Sequence, residues 1–361
     1  MLLVILFAAT LWGLATLLRL PRQARLLMIA LLFVAVLFLQ VALPIGHPLR
    51  EATGGSPALW LILGGFVGLF YAYRWLLDRL RVQARRRDEA NLPDKPAGTF
   101  SESELNRYAR HIVLRELGGP GQKRLKEARV LVIGAGGLGA PALQYLSAAG
   151  VGTLGLIDDD IVENANLQRQ VIHTDDRIGM PKVFSAQAAM LAQNPHIIVL
   201  PYHRRLTEEI AEELFADYDV ILDGTDNFET RYLVNRVAAA AGKPLISGAL
   251  SQWEGQLSVF DPANGGPCYQ CIFPEAPAPE LAPSCAEVGV LGPLPGVVGA
   301  MMAVEAVKLI TGAGTVLRGQ MLIYDALYAE TRLIALKLRA DCPVCGQDTI
   351  SKPAKMQDTV V

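Results

Sequence analysis

The stretch "RVLVIGAGGLGAPALQYL", residues 129–146, constrains what this chain can fold into more than any other. An unbroken apolar run leads into Gly134-x-Gly136-x-x-Gly139, and small and apolar residues at helical spacing follow. A buried strand, a glycine turn and a helix open a βαβ unit. Such a turn brings bare backbone to the positive end of a helix, where phosphates are held. The helix is expected to run to about Ala149, and "TLGLIDDD" supplies the next strand. Asp158 ends that strand, where a carboxylate can hold a ribose hydroxyl pair. Up to here a dinucleotide site and an ATP site read alike.

The next residues separate them. "DDDIVENANLQRQ" places Asp160, Asn164, Asn166, Arg169 and Gln170 in a polar loop past the strand, and "GMPK" brings Lys182 to a helix start after Pro181. "DVILDGTDNFETR" reads as a strand delivering Asp223, Asp226 and Asn227 at its carboxyl end, where ligands bind in parallel sheets. An arginine, a lysine and an acid around a phosphate loop suit a metal-bound triphosphate better than a pyrophosphate bridge, with the acid on Mg²⁺. Singly, each has a plainer reading: Arg169 as a surface ion pair, Lys182 as a solvated helix start, Asp226 as a helix cap.

The front of the chain is different in kind. Up to residue 73 its charged side chains are Arg19, Arg22, Arg25, Arg50 and Glu51, which separate uncharged apolar runs at 1–18, 26–43 and about 58–73. Each approaches the ~20 residues of a transmembrane helix, so three spans are expected, at about 1–18, 26–43 and 58–77. A signal peptide fits the first run poorly, since no basic region precedes it. Arginines crowd the 19–25 loop and follow the third run at 74, 79, 81, 85, 86 and 87. Basic loops stay inside, so the amino terminus is expected outside a multi-pass inner-membrane protein and the rest in the cytoplasm. Tyr71, Tyr73 and Trp75 then fit an inner aromatic belt and Trp60 an outer one. The arginines suit anionic lipid; a net charge of −2 gives no sign of nucleic-acid binding.

Residues 88–100, "DEANLPDKPAGTF", read as a linker after a membrane anchor at 1–87. "SESE" at 101–104 is a capping box opening a helix with Leu105, Tyr108, Ala109 and Ile112 on its apolar face. A soluble domain is expected from 101 to 349, with a disordered tail at 350–361. Inside it, "PGVVGAMMAVEAVKLITG" reads as a core helix; for His173 an ordinary polar role is the plainer reading and an approach to the nucleotide the alternative.

In order, the chain holds "RYARHIVL", "GAGGLG", "NLQRQ", "GTDN", "EGQLSVF", "CYQC", "GVLGPLPGVVG" and "CPVCG". Over about residues 101–348 it resembles the MoeB/ThiF/HesA family, relatives of ubiquitin-activating enzymes. The resemblance implies an α/β, Rossmann-like ATP-binding domain with a mixed, mainly parallel sheet and a zinc-stapled carboxyl-terminal part. It implies adenylation of the Gly-Gly carboxyl terminus of a small ubiquitin-fold sulfur carrier. The small subunit of molybdopterin synthase is the first choice and the thiamine-pathway carrier the alternative. A sulfurtransferase or cysteine desulfurase is expected as a separate partner. Gly134, Gly136 and Gly139 would line the phosphate loop, with Asp158 on the ribose and Asn166 and Asn227 at the ATP. Arg169 and Lys182 would contact phosphates and Asp226 would bind Mg²⁺. Arg110 would reach the ATP of the partner subunit of a homodimer. Ala165 and Gly224 depart from the serine and cysteine common in relatives, without loss of charge.

Cys268-x-x-Cys271 and Cys342-x-x-Cys345 suit a closed structural Zn²⁺ site, with disulfides or a redox pair as alternatives. Cys285, in "PSCAEVGVLGP", is either an acceptor thiol for the activated carrier or a thiol with no part in adenylation. From other classes, an NAD-dependent oxidoreductase would share Gly134 to Asp158 but has no use for Arg169, Lys182 and Asp226. A non-catalytic ATP-binding docking protein would keep the fold and lose the chemistry.

Overall fold

β1 (Arg129–Ile133) has a parallel partner on each side and is buried on both faces, which is why its apolar run is unbroken. The structure is a computed structural model that describes residues 2–17, 22–90, 100–277 and 288–346. The chain divides into two compact units, Met1–Pro93 and Asp94–Val361.

In the second unit an eight-stranded sheet has the order β3-β2-β1-β4-β5-β6-β7-β8. The strands are β1, β2 (Thr153–Asp158), β3 (Ile198–His203), β4 (Val220–Asp223), β5 (Leu245–Leu250), β6 (Glu254–Phe260), β7 (Gln320–Asp325) and β8 (Glu330–Ala335). β3 to β5 across the order are parallel, and β6, β7 and β8 add antiparallel, so the expected mixed sheet is present. Its two faces carry separate apolar cores, one around Leu143, Leu154 and Met302, the other around Phe215, Tyr218 and Phe260.

The helices of this unit are α5 (Glu102–Arg107), α6 (Ala109–Ile112), α7 (Gly118–Glu127), α8 (Gly139–Ala149), α9 (Lys182–Gln193), α10 (Glu208–Ala216), α11 (Phe228–Ala240), α12 (Tyr269–Ile272) and α13 (Pro293–Thr311). α8 and α9 begin where the sequence places them, and Ser101 with Glu104 closes the expected capping box. The helix it opens is not continuous. It breaks at Tyr108, whose ring is buried and whose hydroxyl accepts from Asn194 Nδ2 at 2.8 Å, while Leu105 stays exposed. Burying one aromatic fixed the chain path that periodicity alone had read as one helix. α13, the expected core helix, is half buried.

The first unit contains α1 (Leu2–Leu17), α2 (Arg22–Ala42), α3 (Pro48–Ala52) and α4 (Pro57–Ala90). Among the described residues, two helical stretches are long and apolar enough to cross a membrane, Pro48–Leu77 and Pro293–Thr311. Of the three expected spans, about 1–18, 26–43 and 58–77, the third lies in the one stretch of this unit that meets that length and composition among the described residues. α1 has 16 residues, about 24 Å at ~1.5 Å per residue. Arg22 and Arg25 occupy the first turn of α2, leaving Leu27–Ala42 as its apolar part. α4 runs through 88–90 of the expected linker. Trp60, expected at an outer belt, is buried with Val4 and Val36, and its Nε1 donates to the Thr53 carbonyl at 3.0 Å. The expected carboxyl-terminal tail lies outside the described residues.

Candidate functional site

The carboxyl ends of the parallel strands face a cavity of about 1530 Å³. Gly134, Gly136, Asp158, Arg169, Lys182, Asp226 and Asn227 all line it. The glycines differ in what they do. Gly134 has φ +88°, and a Cβ on Gly139 would stand 1.8 Å from the Gly134 carbonyl oxygen, so both are needed to close the turn. At Gly136 the nearest atom to such a Cβ is Gln170 Nε2, at 3.7 Å, which leaves that face of the backbone open to the cavity.

Asp158 accepts from the Ala135 N–H at 2.7 Å and from the Asp160 N–H at 2.8 Å. Burial pushes its carboxyl above the ordinary aspartate range, against the pull of Lys182 and of those two N–H groups. Lys182 opens α9, is 6% exposed, and holds Asp160 at 2.7 Å. Arg169 donates through Nη1 to the Ala165 carbonyl at 2.9 Å, so it is braced by backbone rather than by a surface ion pair. Asp226 is exposed at the cavity wall. The cap of α11 is its neighbour Asn227, whose Oδ1 accepts from the Thr230 N–H at 2.9 Å. Asp226 takes no part in that cap.

Three expected residues lie outside the lining: Gly139, which closes the turn, Asn166 and Arg110. Asn166 is buried and outside the lining; its Oδ1 accepts from the Glu163 N–H at 3.1 Å and closes a short turn. Arg110 is exposed on α6, likewise outside the lining. Cys285 lies outside the described residues.

Sequence reasoning named Gln170 without assigning it a role, and it missed Arg231. Gln170 lines the cavity at 4% exposure, and its Oε1 has no partner among the described residues. Arg231, 6% exposed on α11, donates to Asp223 Oδ2 (3.4 Å), Ser247 Oγ (3.0 Å), the Gly248 carbonyl (2.7 Å) and the Thr225 carbonyl. It ties the ends of β4 and β5 together beside Asp226. Its one sequence signal is position, eight residues past a strand-ending aspartate, on the first turn of the next helix.

Cys268, Cys271, Cys342 and Cys345 come together, all at or below 7% exposure. Cys268 Sγ lies 3.9 Å from Cys271 Sγ and 3.6 Å from Cys342 Sγ, and Cys271 lies 3.4 Å from Cys345. A tetrahedron of ~2.3 Å Zn–S bonds has edges of ~3.8 Å, so the four sulfurs fit zinc. Burial pushes the Cys268 thiol up to about 11 and raises Cys345 as well. Cys342 moves down: burial works against it, but the Cys345 and Val344 N–H groups outweigh that. Asn235 on α11 braces the cluster, donating to Cys268 Sγ at 3.7 Å and accepting from the Tyr269 N–H at 2.8 Å.

The ThiF family model matches residues 108–344. The sulfur carrier protein adenylyltransferase of Thermus thermophilus is 49% identical over 253 residues, 69% of this chain and 93% of that protein. The protein named Probable adenylyltransferase/sulfurtransferase MoeZ, from Mycobacterium tuberculosis, is 52% identical over 252 residues. That match covers 69% of this chain but 64% of MoeZ, so the chain spans just under two thirds of that relative. The crystal structure of E. coli MccB with ATP aligns at a TM-score of 0.59 over 68% of this chain and 76% of that one, at 22% identity. That likeness is one of fold.

Proposed function

The chain belongs to the ThiF family, and on that premise we propose that it is an adenylyltransferase acting on the Gly-Gly carboxyl terminus of a ubiquitin-fold sulfur carrier. The carrier in this reading is the small subunit of molybdopterin synthase. The observation that carries it is the clustering of Arg169, Lys182 and an uncommitted Asp226 around an open glycine turn. The name of the Thermus relative, a sulfur carrier protein adenylyltransferase, supports the substrate class. A hydride-transfer enzyme has no use for that inventory.

The chemistry follows from charge. The carrier's terminal carboxylate attacks the α-phosphorus of ATP; a C–O–P bond forms, the bond to the β-phosphoryl oxygen breaks, and pyrophosphate leaves. Both reactants are anions, and Arg169 and Lys182 offset their repulsion and the charge on the leaving group. Mg²⁺, when bound, supplies further neutralisation at the phosphates, and Asp226 would hold it. No general base is required, because a carboxylate is ionised near neutral pH. Asp158 orients the ribose. Arg110, exposed and away from its own cavity, would serve the partner's site in a homodimer.

The amino-terminal unit anchors this domain in a membrane within the same reading. Phe38, Val41, Phe66 and Leu69 are exposed on the apolar stretches of α2 and α4, which supports a lipid surround. Alkaline extraction of membranes tests it: the full chain should stay with the pellet, and release would refute the anchor.

Hydroxylamine trapping tests the activity. With MgATP and each Gly-Gly-ended carrier in turn, the molybdopterin carrier should gain a terminal hydroxamate. A hydroxamate on the thiamine-pathway carrier instead would correct the substrate, and none on either would overturn the reading.

A further inference from the structure

His173 is a buried titratable residue that the proposed chemistry does not use. It is 5% exposed, follows the Arg169–Gln170 segment, and carries two hydrogen bonds. Nε2 lies 3.0 Å from the Ala135 carbonyl oxygen. A carbonyl only accepts, so Nε2 carries the proton and donates. Nδ1 is then the acceptor, and Ser185 Oγ, 2.9 Å away on α9, donates to it. The tautomer is fixed by its partners. Burial first, and then the charges of Lys182 and Arg177, lower the pKa and keep the ring neutral.

The Ala135 carbonyl shares a peptide plane with the Gly136 N–H. The bond is trans, so the two groups point in opposite directions. Drawing the carbonyl toward His173 turns the Gly136 N–H the other way, on the residue whose open face lines the cavity. Glycines flank Ala135 on both sides, and Gly136 tolerates the dihedral change of a peptide flip at little cost. A flipped plane would present an oxygen to the phosphates in place of a donor. Asp158 fixes the preceding plane by accepting the Ala135 N–H at 2.7 Å, but it does not touch this one.

We infer that His173 is the positioning residue of the phosphate loop: it aims the Gly136 N–H at the phosphates and ties that peptide to the helix that carries Lys182. The inference rests on the cavity being an ATP site, yet it needs no carrier protein to test.

The experiment measures binding of ATP and of adenosine to the full chain in detergent, by calorimetry, for wild type, His173→Gln and His173→Leu. Gln can still donate toward the Ala135 carbonyl; Leu cannot. ATP should bind His173→Leu about tenfold more weakly than wild type, His173→Gln should recover most of that loss, and adenosine should bind all three alike. Equal ATP affinity in wild type and His173→Leu would overturn the inference, as would equal losses of ATP and adenosine. Should His173→Leu not fold, Ser185→Ala removes the donor that holds Nδ1 as the acceptor, so the ring is untied from α9 and Nε2 is no longer held as the donor to the Ala135 carbonyl. It should then weaken ATP but not adenosine, and an unchanged ATP affinity would overturn the inference. If wild type itself gains nothing from the phosphates, the ATP-site reading fails instead.

Discussion

The glycine-loop cavity and the cysteine cluster sit on the same α/β unit and are built on opposite terms. At the cysteines the four ligand atoms already face one another, buried, within 4.8 Å. Around the loop, Asp226 is exposed, Gln170 keeps an acceptor without a partner among the described residues, and the face of Gly136 is open. The first arrangement fits a single ion and would leave no position for a reactant. The second is unfinished until a substrate arrives. A closed donor set serves folding and an open one serves chemistry. The two meet in α11, which begins beside Asp226 and braces Cys268 through Asn235.

Four outcomes would break or sharpen this contrast. The largest belongs to the cysteines. Structural zinc contributes ~10–16 kcal/mol of apparent binding energy in small metal domains, comparable to a typical domain's whole stability. Cys342→Ser, or prolonged chelation of the full chain, should leave the α/β unit unfolded or aggregated by circular dichroism. A variant that melts like wild type would make the cluster incidental.

The cavity should behave the other way round. Lys182→Met and Asp226→Ala should each lower adenylation on the order of 10²–10³-fold, the range for losing one transition-state charge contact. Because Asp226 is exposed, Asp226→Ala should also leave the melting temperature within a few degrees of wild type. A cooperative loss of structure in that variant would erase the distinction. Asn166 makes a finer test inside the same loop. Its side chain closes a turn, so Asn166→Ala should cost about 1 kcal/mol of stability in denaturant titrations, with ATP affinity unchanged. Lost ATP affinity at unchanged stability would return it to the binding set.

The smallest effect is a pH dependence. His173 has a lowered pKa, so below the ordinary histidine value near 6.5 the unfolded chain binds the proton more readily than the folded one. Its contribution is complete above that value and is lost as pH falls through the lower, folded one. Between pH 7.5 and 5.5, His173→Gln should therefore lose less melting temperature than wild type. Equal losses would remove the imidazole from the pH response.

The contrast also explains what the sequence discloses. Both sites are announced by contiguous motifs, because a phosphate turn and a metal knuckle each need several residues within one turn of chain. β1, α8, β2 and the start of α9 are legible for the same reason. Arg231 is not, because its role exists only where β5 lies beside β4 and brings Ser247 and Gly248 within reach. Asn166 misleads because a polar side chain in a ligand loop can serve the loop instead of the ligand. In the amino-terminal unit, apolar runs disclose helices but not their ends. Arginines shorten the apolar part of α2, and α4 continues through a charged stretch that composition alone assigns to a linker.

Carrier-dependent ATP–pyrophosphate exchange in the detergent-solubilised full chain tests the central claim most directly. The account predicts exchange that requires a Gly-Gly-ended carrier, falls on the order of 10²–10³-fold with Asp226→Ala, and survives Cys285→Ser, since forming the adenylate uses no thiol. No exchange with any such carrier, in protein that binds MgATP and retains its metal, would contradict it.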